Sequence, residues 1–425
     1  MKRKLHKIIT KLSTIVTKST LEKLESISNS ILSMKGRVTM LGISRWSKEY
    51  SYKTIERFFD KKSDWLKINW KLVKDNIGDE VILVADESTI SKSGKSTHGL
   101  GYFYSGLQGR AIKGIQFLSF SLVDVETKRA YPLFSKQLEK AKRDKKSKIK
   151  NKEKGRPKGS KNKNHSDIRL KGLFRVVSWY LRIINKVIKL PNLRYFVYDG
   201  AFGNNMGIQS ARRNKLHLIS KLKKNSALYF KFDGKQKSKG RKRIYGELID
   251  YENIDAKYLK ETKIEENIEI SIYQMTALNK KISGELNIVI IVAKKGNKIT
   301  HKILFSTDTT QEYFKIQEYY SLRFQIEFNF RDAKQYFGLE DFMNIKKRRV
   351  YNFANLSMLM NNLTYLTAKE SGYSKYSVND IKSLFLAHKY ALEVLKIYGE
   401  KVDDILIEDI VMQVSEFSLI HRNAA

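Results

Sequence analysis

The chain has 425 residues, 41% hydrophobic and 30% charged, enough for two or three domains and a sizeable core. Its 82 Lys and Arg against 44 Asp and Glu leave a formal net charge of +38, which calls for a polyanionic partner, and nucleic acid repays such charge by releasing condensed counterions. The absence of cysteine excludes disulfides and thiolate chemistry, and neither a run near the roughly 18 apolar residues of a membrane span nor an apolar signal core after the basic N-terminus is present, so a cytoplasmic, nucleoid-associated protein with no membrane partner is expected.

Residues 1–77 read as a helical, DNA-binding N-terminal region. Leu5, Ile8, Ile9, Leu12 and Ile15 recur at helical spacing, followed by Leu24, Ile27, Ile31 and Leu32. The stretch 43–61 reads as two short helices around a Tyr/Ser turn. It suits a helix-turn-helix whose second helix carries Lys53, Arg57 and Lys61, or a plain bundle with solvated lysines. At Val81 the pattern changes. The run Val81–Ala85 is continuously apolar, the mark of a strand buried on both faces, and ends at Asp86. Strands are predicted over 115–125 and 129–136, with a turn near 126–128. A helix over 170–188 precedes a second apolar strand, Leu193–Tyr198, ending at Asp199. A helix over 205–214 and a strand over 216–222 follow.

Residues 226–306 are β-rich, with strands predicted at 268–275, 286–292 and 301–305. From 310 to 337 the helical pattern returns, and the rest is mostly helical. The run 356–366 could serve as an interface but suits a core helix better. Residues 78–225 and 307–345 are therefore expected to form one catalytic core in two parts. The β-rich insertion 226–306 interrupts it, and a helical region spans 346–425. A basic loop at 136–166 holds Lys154-Gly155-Arg156-Pro157-Lys158-Gly159, similar to the Gly-Arg-Pro core of an AT-hook. Such a motif would lay Arg156 along a narrow minor groove; generic phosphate contact by a solvated basic loop is the alternative.

Gly94-Lys95-Ser96 invites a phosphate-loop reading, but the glycine required five positions earlier is Thr89. Asp86 and Asp199 are more informative. Each follows an apolar strand, so their carboxylates can converge at one sheet edge, although a single Asp there is commonly a turn residue. The third element is YYSLRFQIEFNFRDAKQYF at 319–337. Tyr320, Arg323, Glu327 and Lys334 have the spacing Y-x2-R-x3-E-x6-K. At ~100° per residue they fall within roughly 60° of one another on one helix, and Arg331 joins them. Tyr319, Leu322, Ile326, Phe330, Ala333 and Phe337 form an adjacent apolar stripe able to dock on a sheet. A carboxylate among so many cations suits metal binding beside a phosphodiester; ordinary charge pairing on an amphipathic helix is the plainer reading.

These residues make the chain similar to the bacterial insertion-sequence DDE transposases with the YREK signature, the insertion-sequence-four-like branch of the RNase H-like superfamily. The resemblance covers roughly residues 80–345 and rests on the YREK spacing, VILVADESTI around Asp86 and YFVYDGAFGN around Asp199. It implies an α/β fold: an RNase H-like mixed sheet flanked by helices, interrupted by a β insertion, with helical N- and C-terminal regions. It also implies metal-dependent cleavage at transposon ends and strand transfer into target DNA. Asp86, Asp199 and Glu327 would hold two Mg²⁺ or Mn²⁺ ions. Tyr320, Arg323 and Lys334 would contact the double-stranded end near the cut, and a homodimer would synapse two ends. Family members that open DNA through a hairpin stack a Trp of the insertion on a flipped base. Here the four Trp are Trp46, Trp65, Trp70 and Trp179, all outside it. Either Tyr245 or Tyr273 substitutes, or the hairpin step differs. The competing readings are another RNase H-like endonuclease, a catalytically inactive transposase-derived DNA-binding protein, and a basic RNA-binding protein, for which no RNP-type aromatic motif is present.

Overall fold

The two apolar runs lie side by side at the centre of the molecule. The computed structural model describes residues 1–106, 108–139, 168–398 and 404–415. Arg156, the AT-hook-like motif and most of the basic loop lie outside the described residues. Helices α1 (Lys2–Thr10), α2 (Lys18–Ser33), α3 (Met40–Ser47), α4 (Tyr52–Asp60) and α5 (Trp65–Val73) come first. Strands β1 (Val81–Ser91), β2 (Gly101–Ser105), β3 (Arg110–Asp124) and β4 (Arg129–Leu138) follow. Then come α6 (Gly172–Ile188), β5 (Tyr195–Val197), α7 (Asn205–Arg212) and β6 (His217–Lys221). The β-rich stretch holds β7 (Tyr229–Lys231), β8 (Tyr245–Leu248), β9 (Leu259–Glu265), β10 (Ile268–Ala277), β11 (Leu286–Lys295) and β12 (Lys298–Ser306). Helices α8 (Tyr313–Leu322), α9 (Gln325–Tyr336), α10 (Lys347–Glu370), α11 (Val378–Tyr398) and α12 (Asp404–Ser415) close the order.

The large sheet runs β2-β3-β1-β5-β6-β12-β11-β10-β9, with β4 also on β3. Strands β1, β5 and β6 are parallel, while β3 is antiparallel to β1 and β12 to β6. This is the expected α/β architecture, an RNase H-like mixed sheet flanked by helices. Tyr180 of α6 packs on Phe120, the cross-strand partner of Ala85, so α6 covers the Ala85 face. Helix α9 lies on β1 from the opposite, Asp86 face. The apolar stripe predicted for α8 and α9 is buried throughout, from Tyr319 to Phe337.

Two differences from the sequence reading have physical causes. First, β1 does not end at Asp86 but runs on to Ser91, because β3 stays paired with it as far as Ser91 opposite Gly114. Second, β9–β12 extend the central sheet itself, since β12 hydrogen-bonds to β6; within 226–306 only β7 and β8 form a separate two-stranded sheet. Leu5, Ile8, Ile9, Ile55 and Trp65 share one hydrophobic core with the strands, so residues 1–77 pack onto the rest of the chain.

The two short helices predicted over 43–61 are present as α3 and α4. Thr39 and Ser51 cap the two helices by accepting from the backbone N–H groups of Gly42 and Thr54. Lys53, Arg57 and Lys61 are exposed, while Ile55, Phe58 and Phe59 face inward. Arg349 of α10 ties α4 down through Glu56 and through Asp60 at 2.7 Å. Helix α10, which contains the 356–366 run, is a core helix, with Leu356, Leu359, Met360, Leu363 and Leu366 buried.

Candidate active site

Strand β1 pairs with β5 in parallel, Leu83 opposite Phe196 and Val84 opposite Val197. Carrying that register two residues on sets Asp86 beside Asp199. Strand β5 stops there because Asp199 turns the chain. Its Oδ1 accepts from the Ala201 N–H at 3.0 Å and caps a short 3-10 turn at Gly200–Phe202. Gly203 follows because a Cβ there would lie 2.1 Å from the Lys221 carbonyl oxygen. The turn is therefore pressed against β6, and Ser220 Oγ holds the Asp199 carbonyl from that strand.

Glu327 sits in the first turn of α9. Arg323 bridges it to Asp86. Its Nη1 donates to Asp86 Oδ2 at 2.9 Å, and its Nη2 lies 3.5 Å from Glu327 Oε1. Asp86 Oδ1 also accepts from the Glu87 N–H at 2.9 Å. Burial pushes Asp86 up to about 6; Arg323 opposes that rise, and the charges of Asp199 and Glu327 add to it. Tyr320 is raised from its ordinary value by burial, with Arg323 opposing and Asp199 and Asp86 reinforcing, which places it against the same charges. The Lys334 ammonium donates to the Thr89 carbonyl at 3.2 Å and lies 3.4 Å from Glu340. It thus binds β1 beyond the point where β5 has ended.

The sequence placed these residues on a single helix, and the structure corrects that. Residues Arg323 and Phe324 form a tight turn between α8 and α9, closed by bonds from the Phe324 and Ile326 N–H groups to the Ser321 and Arg323 carbonyls. Tyr320, Arg323, Glu327 and Lys334 still come to the sheet. Arg331 does not join them: it pairs with Asp332 at 3.0 Å and lies over the Phe328 ring, lining a different hollow with Arg129 and Tyr365. Tyr245 packs edge-on to Tyr229, and Tyr273 is partly buried against the core.

Two groups escaped the sequence reading. Glu87, adjacent to Asp86 but on the α6 face, is pushed up to about 7 by burial and by repulsion from Asp86 and Asp199. The Tyr198 hydroxyl is buried beside it and is raised well above its ordinary value by burial and by the charges of Glu87, Asp86 and Asp199. The consecutive Asp86-Glu87 pair was the available signal. Lys302 of β12 stands 4.7 Å over the Tyr320 ring, lowered by burial and by Lys221 and Arg323. Only the pairing of β12 with β6 brings it there.

Among the described residues, no three His, Cys, Asp or Glu side chains are gathered closely enough to hold a metal ion together. Arg323 spans the gap between Asp86 and Glu327 instead. The donor set itself fits a hard divalent cation. It offers carboxylate oxygens without thiolates, and burial raises both Asp86 and Glu87, a penalty on the charged forms that a bound cation would offset. No helix among the described residues is long and apolar enough to cross a membrane.

The model of a family described as DDE superfamily endonuclease matches residues 11–277, a span that holds Asp86 and Asp199 and ends before Glu327. No match was found among curated proteins. With more than half of its length matched, the chain belongs to the DDE superfamily endonucleases, whose chemistry is nuclease or transposase action on DNA with divalent metal ions.

Proposed function

We propose that the chain is the transposase of an insertion sequence, cutting DNA at terminal inverted repeats and joining the freed ends to target DNA. The observation that carries this reading is the Arg323 bridge, which sets the Glu327 helix against the strand bearing Asp86. Asp86, Asp199 and Glu327 would be the ligands of two Mg²⁺ or Mn²⁺ ions. Such ions, when bound, supply an activated water or 3′-hydroxyl and stabilise the leaving oxygen.

The chain's own residues do the rest. Arg323 leaves Asp86 for the non-bridging phosphate oxygens of the scissile group, which offer the bidentate geometry its guanidinium requires. Lys334 and Tyr320 hold the strand from either side of that contact, and Lys302 adds positive charge beside Tyr320. Two ends cut in concert call for a homodimer on double-stranded DNA. Arg331 and Arg156, away from the bridge or outside the described residues, belong to peripheral DNA contact in this reading.

The test is a cleavage and strand-transfer assay with Mg²⁺ and inverted-repeat duplexes. Asp86→Ala, Asp199→Ala and Glu327→Ala should each lose about three orders of magnitude in cleavage, the scale of several kcal/mol of transition-state stabilisation. Binding to the same duplexes should change little. Normal cutting by any of the three variants would remove that residue from the site.

A further inference from the structure

The sheet face that carries Asp86 extends well beyond the carboxylates. Asp86 is opposite Ser119 on β3, and alternate residues Phe117, Ile115, Lys113 and Ala111 continue the same face. Lys113 is opposite Tyr102, and Ala111 is opposite Tyr104. Both tyrosines therefore lie on the Asp86 side of the sheet. Tyr102 is 63% exposed and Tyr104 67%, whereas Phe103 between them is buried on the other side. Two large rings at alternate positions of one strand are held out in water, where apolar area gains nothing unless something covers it.

Their surroundings are cationic. Lys113, the cross-strand partner of Tyr102, lines a groove together with Arg37, Lys92, Lys95, Glu340 and Asp341. Lys92 is spent on the carbonyl oxygens of Glu340 and Phe342, and Lys113 reaches the Ser93 carbonyl at 3.2 Å. Arg37 and Lys95 are exposed. The strand is also tied to the site. Thr89 Oγ1 donates to the Tyr104 carbonyl at 3.2 Å, and Lys334 holds the carbonyl of that same Thr89.

We propose that β2 and the start of β3 form a second DNA-contact platform, on which duplex DNA running from the cut lies with its backbone against Tyr102 and Tyr104. The tyrosine rings cover deoxyribose, their hydroxyls donate to phosphates, and Lys95 and Arg37 neutralise the adjoining phosphates. The inference rests on the reading of Asp86 and its partners as the cutting site, since that fixes where the DNA starts. From Ser119 to Lys113 is six residues of strand, about 20 Å at ~3.3 Å per residue. At ~3.4 Å per nucleotide this is about six base pairs.

The experiment measures binding of the full chain to inverted-repeat duplexes that extend 2 to 12 base pairs from the cleavage position, in one series on each side of it. It is run with the Asp86→Ala chain in EDTA, so that binding is read without cutting. Affinity should rise by about tenfold as one series passes about six base pairs. Tyr102→Ala with Tyr104→Ala should abolish the step, and Tyr→Phe at both positions should leave part of it. Lys95→Ala should lower the slope of log affinity against log salt by about 0.9. A step that survives the double alanine variant, or no step in either series, overturns the platform. Cleavage by the chain with Asp86 restored is scored separately. If Asp86→Ala still cuts, the functional reading fails while the binding step is judged on its own.

Discussion

Arg323 is held by carboxylates on two sides, at 2.9 Å from Asp86 and 3.5 Å from Glu327, yet its Nε is buried without a hydrogen-bond partner. One guanidinium does not satisfy the acids around it. Asp86 is pushed from 3.8 up to about 6, and Glu87 from 4.5 up to about 7, in both cases chiefly by burial. The folded chain therefore keeps protons that the unfolded chain gives up. Their contribution to stability is fully present below about pH 4 and is lost as pH rises through about 6 and then 7. Urea denaturation in EDTA should show the midpoint falling between pH 5 and 7.5, and Glu87→Gln should flatten that fall. An equally steep fall in Glu87→Gln would show that Glu87 does not carry it. At this scale the aspartates were legible because each follows an apolar run. Glu87 was not, because alternation sends it to the opposite face and only the depth of the sheet makes its charge costly.

At the scale of elements, β4 is an edge strand sealed by side chains from helices. Asn355 of α10 donates to the Ser135 carbonyl at 2.9 Å and accepts from the Ser135 N–H at 2.8 Å. Asn362 reaches the Pro132 carbonyl at 2.9 Å, and Asn69 of α5 reaches that of Leu133 at 2.9 Å. Covering an edge in this way removes a template for pairing with another chain. Asn355→Ala should cost about 2–3 kcal/mol, because it strands two buried backbone groups at once. Chemical denaturation checks this, and a loss under ~0.5 kcal/mol would mean that water replaces the amide. The amphipathic stripe on α8 and α9 was readable from spacing alone. The turn at Arg323 and Phe324 was not: it breaks the ~100° arithmetic only locally, yet it separates Arg331 from the cations that reach the sheet.

For the whole molecule, the N-terminal helices and the sheet share a core. Trp65 donates to Asn352 of α10 at 2.9 Å, and Phe59 stacks on Phe353 with ring centroids 5.1 Å apart. Helix α1 packs on α10, and α2 on α11. Removing residues 1–77 should therefore leave a chain without a cooperative thermal transition, because it bares the apolar faces of α10 and β4 together. Circular dichroism melting and gel filtration decide it; a monomeric 78–425 fragment that melts cooperatively would show that these residues fold without the N-terminal helices.

By itself, the sequence determined the polyanionic partner through its +38 charge, the absence of thiol chemistry, and the succession of helical and β-rich regions. It also held the YREK spacing, since periodicity and composition are local properties of the chain. The tertiary structure alone decided that β12 joins β6, that Lys302 meets Tyr320, and that Arg323 stands between Asp86 and Glu327. Each of these contacts joins residues about 80 or more positions apart or depends on how a helix seats on a sheet. Burial and strand register settle such contacts only when the whole chain is folded.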